Sequence, residues 1–100
     1  AQWIPWVFNE VVRRIESVGG KIPNDIFGDS KIYATCQNDD DISWILKYSG
    51  QNSLIIGTDY GHTDPSTQID AISIFRKRED IDQNIKDRVL SVNPKRLYGL

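Results

Sequence analysis

Methionine is absent from all 100 residues, cysteine and histidine occur once each, and no apolar run is long. Each shortage excludes something. A lone Cys36 allows neither an internal disulfide nor a cysteine-based zinc motif. A reducing compartment is therefore the default, and the cytoplasm the expected location. No stretch approaches the roughly 18 apolar residues of a membrane-crossing helix, so no membrane partner is expected. The opening AQWIPWVFNEVVRR lacks the charged start, apolar middle and small-residue cleavage site of a signal peptide. Basic residues are not in excess either: the net charge is −2, against a nucleic-acid partner. The one basic cluster, Arg76-Lys77-Arg78, runs straight into Glu79 and Asp80 and reads as a solvated helix end. The missing methionine leaves two origins open: an initiator trimmed before Ala1, or a segment of a longer protein.

What is present describes one small folded unit spanning 1–100. Three Trp, four Tyr and three Phe are spread along the chain, which opposes disorder. Ile4, Val7, Phe8, Val11, Val12, Ile15 and Val18 recur at three- and four-residue steps, the stripe of an amphipathic helix. Pro5 suits its first turn and Gly19-Gly20 its stop. The following KIPNDIFGDS reads as an irregular connection. KIYATC, residues 31–36, is β-branched and aromatic enough for a strand, and QNDDD then caps a helix reaching Tyr48. Its inner face carries Ile42, Ile45 and Leu46, and Ser49-Gly50 ends it.

SLIIGTD supplies a second strand with no polar alternation, predicting burial on both faces. Asp64 is expected to cap a helix starting at Ser66, with Ile69, Ile72 and Phe75 inward. A last helix over about 82–91 turns Ile81, Ile85, Val89 and Leu90 inward, and Asn93-Pro94 is expected to break it. Strands alternating with helices imply an α/β fold with a parallel sheet and right-handed crossovers. Two strands make a poor sheet, so something further must complete it.

Chemistry in such folds gathers at the carboxyl ends of the strands. Asp59 stands there, followed by Tyr60, Gly61 and His62, the only histidine. Asp-x-x-His can place both side chains around one pocket. It can equally be a turn-capping aspartate and a surface histidine. One Asp and one His complete neither a catalytic zinc site, which takes three protein ligands, nor a nucleophilic triad. Thr35 and Cys36 end the first strand and can line the same mouth. Without a neighbouring histidine, Cys36 reads as a buried structural residue.

LIIGTDYGHTDP resembles the last barrel strand and following loop of the amidohydrolase-related enzymes of the aminocarboxymuconate-semialdehyde decarboxylase type. IKDRVLSVNPKRLYGL resembles that family's C-terminal helix, WIPWVFNEVVRRIE a helix two units earlier, and DIFGDSKIYATC the approach to strand seven. The resemblance implies the last two βα units of a (β/α)₈ barrel. Ile32–Thr35 would be strand seven and Leu54–Thr58 strand eight. Asp59 would be the catalytic carboxylate that contacts a divalent metal, zinc foremost, or its water. His62 would stand behind the metal's ligands or on the substrate side. Gly61 departs from the proline frequent there.

The family's remaining ligands are histidines on earlier strands, including a His-x-His pair, and this chain has no such pair. A whole barrel takes about 250 residues. Alone, then, the 100 residues are expected to hold no metal and to be inactive. Two functions follow. The first is part of a metal-dependent hydrolase or decarboxylase, with the remainder of the barrel as partner and a small molecule as substrate. The second is a small non-catalytic structural or interaction protein, derived from such units and covering its strand edges with identical subunits. A small-ligand module without catalysis has no feature of its own in favour.

Overall fold

The computed structural model describes residues 1–65 and 67–100. Two short strands, β1 (Ala34–Cys36) and β2 (Leu54–Ile56), pair in parallel with Ala34 opposite Leu54, Thr35 opposite Ile55 and Cys36 opposite Ile56. Six α-helices accompany them among the described residues: α1 (Ile4–Ser17), α2 (Ile26–Asp29), α3 (Ile42–Ser49), α4 (Ala71–Arg76), α5 (Gln83–Asp87) and α6 (Asn93–Tyr98). No described helix is long and apolar enough to cross a membrane.

Local chemistry sets most boundaries. Pro5 lies in the first turn of α1, where its missing N–H costs nothing. Gly19 takes φ +70°, and its N–H and that of Gly20 return to Glu16 O and Ile15 O, satisfying carbonyls at the helix end. Asp41 caps α3 by accepting from Trp44 N–H, and Asp82 caps α5 by accepting from Ile85 N–H. The stretch expected to be irregular holds α2, because Asp25 accepts from Gly28 N–H and nucleates a single turn.

The C-terminal helix runs differently from the sequence expectation. Pro94 does not end it. A π-turn over Arg88–Val92 joins α5 to α6, and Asn93 N–H donates to Arg88 O, five residues back. In a regular α-helix the Pro94 ring would press on Leu90 O. The wider π-turn relieves that clash, so the chain stays helical to Tyr98.

The helix after β2 also begins later than expected. The expected start, Ser66, lies outside the described residues; α4 starts at Ala71. Ala71 and Phe75 are four apart and both buried, which turns Ile72 to the surface and leaves Ile69 74% exposed ahead of the helix.

The core is continuous. Ile4, Phe27, Cys36, Ile42, Ile45, Leu54, Phe75 and Val89 are essentially removed from water. They come from seven different segments, so each helix is held by packing rather than by its own propensity. Polar residues are buried beside them, among them Ser49, Ser53 and Asn93; the Asn93 Nδ2 donates to Gln51 O and Leu54 O at 2.9 Å each. It ties the π-turn to the entry of β2.

Burial along the sheet overturns one expectation. Ala34 and Cys36 are buried while Thr35, between them, is exposed. Their partners follow the same alternation: Leu54 is buried and Ile56 packs on the core, whereas Ile55 lies opposite exposed Thr35. The helices cover one face of this sheet. The other face is open. No further described strand pairs with either outer edge, and on the β2 edge the Asn93 amide reaches Leu54 O.

Candidate functional site

The open face continues beyond the strand ends into a cleft of about 350 Å³ lined by Ala1, Thr35, Gln37, Gly57 and Asp59. Four of these are odd-numbered positions on the two strands and their extensions. That is the period-two alternation which places Thr35 outside the core. Residues expected at the mouth therefore divide by parity: Thr35 and Asp59 reach it, and Cys36 turns into the core. Burial pushes the Cys36 thiol up to about 11, with the charge of Asp40 adding to the effect. An enclosed thiol with so little thiolate is not a nucleophile.

Gly57 is needed for space, not for a special backbone angle. A Cβ there would stand 2.6 Å from Thr35 Cγ2, far inside contact distance. Gly57→Ala is expected to cost about 1–3 kcal/mol in a denaturant melt, the usual range for overpacking. Because the clash is with a single methyl group, adding Thr35→Ser should recover most of that loss. Equal stabilities of the single and double variants would show that the strands separate instead.

Beyond Gly57 the chain forms a lobe whose ends are tied together. Gln68 N–H donates to Thr58 O at 2.8 Å, and Tyr60 N–H reaches Thr58 Oγ1 at 3.3 Å. Thr67 Oγ1 lies 2.6 Å from His62 O and 3.1 Å from Asp59 O, so its proton joins the two arms of the turn. Within this frame Asp59 takes φ +51°, a left-handed conformation that Asp tolerates better than most residues. His62 Nδ1 comes within 3.4 Å of Asp59 Oδ1, and His62 is largely exposed.

The lobe is anchored to β1 as well. Asn38 Nδ2 donates to Gln68 Oε1 at 2.6 Å and to Ala71 O at 2.9 Å. Arg78 Nη1 donates in turn to Asn38 O at 2.8 Å. Arg78 thus does more than solvate a helix end. It is half-buried, bridges to the turn after β1, and its hydrogen bonds hold the Asp80 carboxyl down at about 2. Asp40, the buried carboxylate of that turn, accepts from Gln37 N–H and pairs with the Ala1 ammonium at 2.6 Å.

The structure brings Asp59 and His62 together, and Asp64 joins them. One donor atom from each of the three lies within 4.8 Å of the others. Sequence reading placed Asp64 only as a helix cap; the spacing Asp-x-x-His-x-Asp was the available signal. Two carboxylates and an imidazole are suitable donors for a borderline divalent ion. Donors bound at about 2.1 Å are at most about 4.2 Å apart, so these side chains need a small rotation to share one ion. The residues fit a metal in kind, and the exposed His62 and Asp64 have room to turn. Asn38 and Gln68, which no sequence pattern marked as site residues, tie the lobe to the turn after β1.

Comparison with protein-family profiles, with characterised proteins and with solved structures yields no match for this sequence.

Proposed function

We propose that this chain is the closing part of a metal-dependent amidohydrolase-type hydrolase or decarboxylase, contributing Asp59 to its active-site mouth. The observation that carries the reading is the one-sided sheet. Helices cover one face, and the uncovered face leads through Thr35 and Gly57 to Asp59 at the carboxyl end of β2. A barrel lumen is such a face, and a further parallel strand would pair with the outer edge of β1. The resemblance of LIIGTDYGHTDP to the last strand and loop of that family points the same way.

In this reading the rest of the barrel supplies the histidine ligands. A divalent ion held there would provide Lewis acidity and bring a water near ionisation at neutral pH. Asp59 would help to hold such an ion, and its carboxylate at the mouth of the cleft would be the group to accept a proton there. His62, 3.4 Å away, orients the Asp59 carboxylate and borders the substrate. Gly57 keeps the floor of the cleft low enough for a small molecule, and the Gln68–Asn38 hydrogen bond stops the lobe from swinging off it.

A second reading draws on the same open face and β1 edge: identical subunits cover them, and the chain is a non-catalytic, self-associating protein. Ile69, Ile72 and Tyr98 offer further exposed apolar surface for such contacts. A native mass spectrum of material from the natural source separates the two. A mass including further polypeptide with histidines, and bound divalent metal, supports the enzyme. A clean multiple of 11.4 kDa without metal would sink it in favour of self-association.

A further inference from the structure

At the other end of β2 from Asp59, two cations converge on one neutral acceptor. Arg88, at the start of the π-turn, donates from Nη1 to Asn52 Oδ1 at 2.9 Å. Arg96, in α6, donates from Nη1 to the same oxygen at 3.3 Å. Neither arginine takes part in an ion pair among the described residues. The nearest acid in the network is Asp25, which accepts from Asn52 Nδ2 at 3.2 Å and from Gly28 N–H at 2.9 Å. It thus stands behind the Asn52 amide, with each oxygen already engaged.

We infer that Arg88, Arg96 and Asn52 form an oxyanion site that takes a phosphate group. Two guanidinium groups brought to one oxygen repel each other, and Asn52 offers no charge to offset them. An anion between them would do so. Each guanidinium has five N–H donors in a planar fork, and one from each is used on Asn52. Arg88 is half-buried with its Nε enclosed, so its fork is fixed in place. Arg96 is exposed and can close over a ligand from the other side. A carboxylate is saturated by one bidentate fork, whereas phosphate has oxygens diverging toward two. Asp25, oriented by Gly28 and Asn52, fixes the Asn52 amide so that both arginines meet at one point. This inference does not rest on the barrel reading, since it concerns the opposite end of the strands.

The test is a titration of the ¹⁵N-labelled chain with sodium phosphate at neutral pH, against sodium chloride of matched ionic strength. The Asn52 side-chain amide is the reporter. A shift that saturates in the millimolar range with phosphate, and is absent with chloride, is expected. Arg96→Gln should weaken binding about tenfold, the loss of one charge-assisted contact. Arg96→Lys should lose less. Because Arg96 is exposed, an unchanged melting temperature without phosphate verifies that the variant still folds. Repeating the titration with glycerol phosphate tells a phosphate ester from the free ion: equal affinity assigns the site to a phosphate-bearing small molecule, and phosphate binding alone assigns it to the ion. Linear, chloride-like shifts, or an Arg96→Gln variant that binds as well as the parent, would overturn the assignment.

Discussion

Replacing Asp59 by Asn in the metal-dependent enzyme proposed above is expected to lower kcat by a factor of about 10²–10⁴, the range for losing a positioned proton acceptor. The substitution keeps the shape and removes the charge. Asp59 lies half-buried at the cleft, and Thr67 holds its carbonyl through the backbone rather than through the carboxylate. The fold should therefore survive, with a melting temperature close to the parent's. Metal content separates two forms of the loss. A carboxylate that only moves the proton leaves the metal in place, whereas one that also binds it lowers occupancy in the same variant. Unchanged turnover would remove Asp59 from the catalytic machinery. His62→Gln is the milder companion: it retains a polar group near Asp59 and should cost less.

Asn93→Ala is expected to destabilise the chain by about 2–4 kcal/mol, measured by urea unfolding. Asn93 is 0% exposed, and its amide satisfies Gln51 O and Leu54 O together. Truncation leaves buried acceptors without that donor, at about 1–3 kcal/mol for an unsatisfied polar group, and opens a cavity besides. Against a total of about 5–15 kcal/mol for a small domain, that is a large fraction.

Asn93→Asp should be worse at neutral pH, because a carboxylate cannot donate to two carbonyls and its charge would be buried without a partner. The sign with pH follows from linkage. Burial raises the folded-state pKa of that carboxyl above its unfolded value, so the folded chain binds the proton more readily. Stability should then improve as pH falls toward the unfolded-state value of about 4 and worsen as pH rises. A variant equally stable from acid to neutral pH would mean that the position opens to water.

The sequence alone determined those features whose cause is local. Pro5 and Gly19 bound α1, Asp41 caps α3, the Ile42–Ile45 face turns inward, and the apolar run Leu54-Ile55-Ile56 is a strand in parallel with Ala34–Cys36. Each depends on a few neighbouring residues and on backbone sterics or capping, so a window of the chain contains the whole reason. Asp59 and His62 were legible for the same reason: they follow a strand directly.

Tertiary structure decided the rest. LIIG has no alternation of its own, and only pairing with exposed Thr35 makes one face of β2 open. Nothing local announces that Pro94 continues a helix, because the relief comes from a π-turn that a buried Asn93 anchors to β2. Asp64 joins Asp59 and His62, and Asn38 meets Gln68 thirty residues away, through contacts between segments that a linear pattern does not encode. Arg88 and Arg96 meet at Asn52 across 36 and 44 residues. The division is physical. Dihedral preferences and caps act over one turn of chain, whereas burial and the satisfaction of buried polar groups depend on what the folded chain brings alongside.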